Sequence, residues 1–156
     1  PAAKLLVEKN AFIVPTLATY HALAEYGRDW GFPVASLEKV QQVKTAGLEA
    51  LSICKQENAS IGFGTDLLGS LHKYQCKEFT LRAEVLPPLD ILRSATTVNA
   101  ALLNQSGTLG VIAPEALADI IIVDGNPLSN LGVFTENGEH IPLVMKNGVI
   151  FKNKLN

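Results

Sequence analysis

Two short apolar runs, Phe12-Ile13-Val14-Pro15-Thr16-Leu17 and Ser60-Ile61-Gly62-Phe63-Gly64-Thr65-Asp66, are parted by a segment with helical spacing. That separation constrains the fold more than any other feature of the chain. A strand followed by a helix and a second strand is a βα unit, and strands joined this way lie parallel. Ala2 to Lys9 has helical composition and feeds the first run. Pro15 is tolerable near the end of a strand only where its missing N–H breaks no ladder bond. After Gly27, Gly31 and Pro33, Ser36 is placed to cap a long helix with apolar positions Leu37, Val40, Gly47, Leu48, Leu51 and Cys54, ending near Glu57 to Ser60. Gly62 and Gly64 leave room for neighbouring backbone to approach the second run. Cys76 to Val85 has helical composition, and Pro88 suits the first position of a helix running to about Leu103.

Beyond Gly107 the period changes. Thr108 to Ile112, Ala118 to Val123, Ile141 to Met145 and Val149 to Phe151 are predicted as short strands, with Asn147-Gly148 as the strongest hairpin signal. The chain of 156 residues is 47% hydrophobic and 18% charged, which supports a buried core and argues against disorder. It is too short for a complete barrel of eight βα units, which needs about 250 residues. A net charge of −2 without a basic run excludes the footprint that nucleic acid requires. No apolar stretch approaches the ~20 residues of a membrane-spanning helix. Cys54 and Cys76 are read as free thiols. Glu8 and Pro15 spoil the reading of Lys4 to Ala18 as a secretion leader, and a start at Pro1 reads as methionine removal or as a cut from something longer, which leaves localisation open with the cytoplasm favoured.

Residues able to carry chemistry are few: His21, His72, His140, Asp66, Glu78 and the Tyr20 hydroxyl. Taken alone, each has a structural explanation. Asp66 would serve as a helix N-cap or turn residue, His72 and His140 as solvated histidines, and Tyr20 as a lid on the core. The competing reading of Asp66 is a carboxylate at the C-terminal end of a buried parallel strand, where βα architectures bind metals and ligands. There is no His-x-His pair, no Gly-x-Ser-x-Gly and no phosphate loop, so the chain does not contain a self-sufficient catalytic motif.

Taken in order, Phe12 to Leu17, Gly62-Phe63-Gly64-Thr65-Asp66, Ala95-Thr96-Thr97-Val98-Asn99-Ala100-Ala101, Gly107 to Ile112, Ala118 to Leu128 and Val144-Met145-Lys146-Asn147-Gly148 resemble the metal-dependent amidohydrolase superfamily. The resemblance is greatest to the imidazolonepropionase-related peptidases, the Xaa-Pro dipeptidase and carboxypeptidase-like branch. It covers only the C-terminal portion of such an enzyme. It implies an α/β fold in which Phe12 to Leu17 and Ile61 to Asp66 are strands 7 and 8 of a (β/α)8 TIM barrel. Residues 1–104 would then be a partial barrel domain, and residues 105–156 the C-terminal strands of a small composite β-sandwich domain. One departure is visible: Pro114-Glu115 stands where the family commonly has Pro-Gly, which would strain a turn.

The resemblance also implies a divalent metal, zinc foremost, with one or two ions in the whole enzyme. Asp66 would be both metal ligand and catalytic residue, and every other ligand would lie before Pro1. The metal would lower the pKa of its bound water and polarise the scissile carbonyl, while Asp66 moved the proton to the leaving amine. His72 and Tyr20 follow as substrate-binding candidates near the strand ends. The expected activity of the whole enzyme is hydrolysis of an amide bond in a dipeptide or small peptide. The alternatives are cyclic-amide hydrolysis or deamination in the same superfamily, and a non-catalytic truncated fragment. The chain alone is expected to be inactive, to bind metal weakly, and to associate with itself or with a missing N-terminal part of the same enzyme.

Overall fold

The computed structural model describes residues 1–155. Helix α1 (Ala2–Glu8) ends where Asn10 turns into the left-handed region at φ 50°, and strand β1 (Phe12–Ile13) follows at once. Strand β2 (Ser60–Ile61) pairs with it in parallel, Phe12 opposite Ser60 and Ile13 opposite Ile61. Both strands are shorter than the runs that contain them. The last ladder bond runs from the Gly62 N–H to the Ile13 carbonyl at 2.8 Å. Two residues further on, Pro15 has no N–H to offer, and Leu17 already opens helix α2 (Leu17–Tyr26).

Helix α2 is absent from the sequence reading, which ran the first strand through Leu17. Helix α3 (Val34–Gln56) begins two residues before Ser36, with Pro33 rather than a hydroxyl side chain at its N-cap. The predicted segment after Cys76 is helical over Lys77–Arg82 (α4), and Pro88 occupies the first turn of α5 (Pro88–Arg93). The chain continues through a π-helical turn, Ser94–Val98, into α6 (Asn99–Leu102). Within this turn Thr96 donates its hydroxyl to the Leu92 carbonyl at 2.7 Å, a back-bond that competes with the regular helical ladder.

Strands β3 (Ile120–Ile122), β4 (Leu143–Lys146) and β5 (Val149–Asn153) form an antiparallel sheet in that order. Ile121 faces Val144, Lys146 faces Val149, and a register shift falls between Val144 and Met145. Asn147 and Gly148 both take positive φ, 48° and 77°, as a two-residue hairpin turn of type I′ demands. The predicted strand Thr108 to Ile112 does not form, and only an isolated bridge joins Ser106 to Leu109. The reason lies at Gly110, φ 72°, whose backbone rests against the π-turn so closely that a Cβ would sit 2.6 Å from the Thr96 carbonyl oxygen. Glu115 takes φ 67°, the glycine-favouring conformation anticipated at that turn.

One core joins these parts. Leu17, Ala18 and Ala22 of α2, Leu51 of α3, Leu81 of α4 and Ile91 of α5 meet Leu131, Val133 and Phe134 of a 3-10 turn (Leu131–Phe134). Phe79 lies between Phe63 and Phe134, with ring centroids 4.4 and 4.5 Å away. Outside the core, apolar side chains stay in solvent, among them Val149 at 59% and Phe151 at 70% on β5. No described helix is long and apolar enough to cross a membrane.

Candidate functional site

Asp66 follows the extended segment that leaves β2 at its C-terminal end. It takes φ 52°, in the left-handed region that aspartate tolerates better than most residues. The N-cap explanation does not apply, because the 3-10 turn Gly69–Tyr74 begins after Leu68 and has no side-chain cap bond. The Asp66 side chain is exposed and enters none of the described hydrogen bonds or ion pairs. It is the backbone leading to it that is tied down. The Thr19 hydroxyl of α2 donates to the Thr65 carbonyl at 2.5 Å.

The strongest ties come from a buried ion pair. Arg82 and Glu78, one helical turn apart on α4, are both completely buried, with Arg82 Nε 2.7 Å from Glu78 Oε1. The guanidinium also donates to the Pro15 carbonyl at 2.8 Å and to the Gly62 carbonyl at 2.8 Å, bridging the two strands where their ladder stops. Glu78 Oε2 accepts the Ala18 N–H at 2.7 Å, satisfying one of the free amides at the start of α2. Burial pushes the Glu78 carboxyl up and the Arg82 guanidinium down, and the opposite charge of each opposes that effect on the other. The short contact and the shared backbone partners make the two side chains one hydrogen-bonded unit. Arg82 further lies over the Phe63 ring, 4.6 Å from its centroid.

Asn99 supplies a second clasp. Its side-chain oxygen accepts the Phe63 N–H at 2.8 Å, and its amide nitrogen donates to the Phe63 carbonyl at 2.8 Å. The group that Gly62 admits is this side chain, since a Cβ there would lie 2.9 Å from Asn99 Oδ1. The sequence reading singled out Glu78 but missed Arg82 and Asn99. Two signals were available: acid and base four residues apart on either side of Phe79-Thr80-Leu81, and an asparagine ending a run of β-branched residues inside a helix.

The other candidates are placed as follows. Tyr20 is half-buried in the first half of α2, a helix rather than a strand mouth. His72 is exposed on the 3-10 turn, and the hydrogen bonds of the described residues join neither of them to Asp66. The segments that bear them do meet, for α2 packs against that turn and Tyr26 stacks on Tyr74 at 4.8 Å. Between them a groove of about 110 Å³ is lined by Asp29, Trp30, Ser70 and Lys73. His140 lies 3.4 Å from Glu136. Burial pushes both the Cys54 and Cys76 thiols up, and neither is in a disulfide.

A divalent cation needs several nitrogen, oxygen or sulfur ligands. Among the described residues no three His, Cys, Asp or Glu side chains are gathered for one. Asp66 is a suitable single ligand, but the residues present do not by themselves fit a metal centre.

The amidohydrolase family profile matches residues 2–151. The chain is similar to a crystal structure of an amidohydrolase, 47% identical with a TM-score of 0.94, covering 99% of this chain and 37% of that one. It is similar to a prolidase complexed with N-methylphosphonate-L-proline, 48% identical with a TM-score of 0.92, covering 98% of this chain and 38% of that one. A Xaa-Pro dipeptidase with methionine bound in its active site is 28% identical with a TM-score of 0.84, covering 97% and 37% of the two chains. The chain thus spans less than two-fifths of the length of these structures, and no curated protein matches it. With the profile running through almost every element described above, the chain belongs to the amidohydrolase family.

Proposed function

We propose that the chain is the C-terminal portion of a metal-dependent amidohydrolase that cleaves a dipeptide with proline at its C-terminal side, or a similar small peptide. On this reading β1 and β2 are the last two strands of an eight-stranded barrel, residues 1–104 are its partial domain, and residues 105–156 belong to a small β-sandwich. The observation that carries it is Asp66: an exposed carboxylate, free of structural bonds, at the exit of a parallel strand whose flanking backbone is held by Arg82, Asn99 and Thr19. Barrel enzymes carry their catalytic groups at this end of their strands. The likeness to a prolidase and a Xaa-Pro dipeptidase supports the choice of substrate.

Asp66 would accept the proton of the attacking water and return it to the departing amine nitrogen. His72 and Tyr20, on segments that follow the two strands, are the proposed substrate contacts. The metal, zinc foremost, would draw its remaining ligands from strands outside this chain, and its contribution is to activate water and polarise the carbonyl. In the longer protein that carries this chain, Asp66→Asn keeps the fold and lowers kcat by about a thousandfold or more. Near-normal turnover in a folded Asp66→Asn protein would refute the assignment. A panel of proline-ending dipeptides against cyclic imides tests the substrate class, and faster turnover of the imides would replace it.

A further inference from the structure

We propose that Asn99 is a positioning residue that ends the β-sheet at Phe63 and holds the segment from which Asp66 projects. The proposal rests on the reading of Asp66 as the proton carrier. The Gly62 N–H bonds to Ile13 of β1, and the Gly62 carbonyl takes Arg82 on that same side. Backbone groups alternate edges along an extended strand, so Ile61 and Phe63 turn theirs to the edge that faces away from β1. At Phe63 both groups on this outer edge are taken by one side chain, the amide of Asn99, at 2.8 Å each. A carboxamide used in this way imitates one residue of a neighbouring strand. Any strand laid along the outer edge can therefore pair at Ile61 but not at Phe63. Ile61 itself borders an open groove of about 390 Å³ with Lys55, Ala59 and Val98.

The consequence falls on Asp66. From Gly62 onward the chain has a side-chain wedge on each edge, Arg82 on one and Asn99 on the other, in place of strands. At Gly62 and Phe63 the backbone is thereby satisfied in its hydrogen bonds without a further strand, and three residues after Phe63 it adopts the positive φ of Asp66. A strained conformation of this kind persists only where its surroundings over-determine it. The π-turn Ser94–Val98 immediately before Asn99 is the feature of α5 and α6 that precedes the clasp in sequence, and π-bulges inside α-helices often sit at functional positions.

The test uses the longer protein with Asn99→Ala, Asn99→Asp and Asp66→Asn, a proline-ending dipeptide as substrate, and amide hydrogen exchange as a readout apart from activity. Asn99→Asp is close to isosteric, keeping an acceptor for the Phe63 N–H while facing its carbonyl with a second acceptor. The expected result is a fall in kcat of about 10- to 100-fold with KM changed far less, since misplacement by an ångström costs this much. The acid limb of the kcat pH profile moves with it, and the Phe63 amide exchanges faster while the Gly62 amide stays protected. Normal kcat in both folded Asn99 variants, beside an inactive Asp66→Asn, would overturn the positioning role alone. Equal acceleration at Gly62 and Phe63, with kcat per folded molecule unchanged, would likewise reduce Asn99 to general stability. Full turnover in Asp66→Asn would remove the reading of Asp66 and the proposal with it.

Discussion

At the scale of single residues, backbone angles and protonation make separate demands. Glu115 takes φ 67° on an exposed turn, where a glycine would meet no steric objection. Glu115→Gly is therefore expected to stabilise the fold by about 0.5–1 kcal/mol, read as a higher urea midpoint with an unchanged m-value. A lower midpoint would mean that Glu115 makes interactions worth more than its strain. His21 bears on pH. Burial, then the ammonium of Lys44 and more weakly that of Lys77, hold its pKa below the ordinary value of 6.5, against the pull of Glu84 and Glu25. The unfolded chain, with its ordinary histidine, binds the proton more readily, so stability is full above that value and declines as pH falls through it toward the lowered folded pKa. His21→Gln should flatten the dependence of the unfolding midpoint between about pH 7 and 5.5. An identical slope in both proteins would assign the acid sensitivity elsewhere. The place of Asp66 beyond the end of β2 was legible from the apolar run that precedes it. Arg82 was not, because its acceptors, Pro15 and Gly62, lie 67 and 20 residues away and no local pattern encodes them.

At the scale of elements, the buried pair on α4 ties three of them together. Replacing Arg82 by methionine would leave the Glu78 carboxylate buried without its partner and two carbonyls without a donor, a loss of at least ~3–5 kcal/mol. Buried ion pairs can often be exchanged for well-packed apolar residues at little cost. This one cannot, because Glu78 also serves the Ala18 N–H and Arg82 serves both strand ends. The double variant Glu78→Leu, Arg82→Met should remain as unstable as Arg82→Met alone in urea unfolding, and recovery would show that the backbone groups find water. What the sequence disclosed at this scale follows the same division between local and distant causes. The long α3 and the turn at Asn147-Gly148 were legible because helical spacing and turn chemistry are written within a few residues. Helix α2 was hidden by the apolar run that precedes it. Thr108 to Ile112 was read as a strand because nothing nearby announces that Gly110 must lie against Thr96.

At the scale of the whole molecule, β1 and β2 form a sheet of only two strands, and large apolar side chains such as Phe151 and Val149 remain in solvent. At about 25 cal/mol per Å² of apolar surface, several such side chains amount to several kcal/mol, a large share of the roughly 5–15 kcal/mol that holds a domain together. The chain by itself should therefore associate, with itself or with an N-terminal part supplied separately. A stable monomer that unfolds cooperatively, seen by light scattering at low micromolar concentration, would contradict this. With no three His, Cys, Asp or Glu side chains gathered among the described residues, it should also show no tight stoichiometric zinc site by calorimetry, and finding one would mean that residues such as His72 or His140 assemble with Asp66. The stack of Phe63, Phe79 and Phe134 sets a limit on how such a protein can be divided. A chimaera joined between residues 104 and 105 would give Phe79 a foreign neighbour in place of Phe134, on the opposite side of the ring from the segment that carries Asp66. Recombination between residues 104 and 105 would thus disturb the packing behind the segment that carries Asp66, and a transplantable unit must carry Leu131 to Phe134 along with the strands.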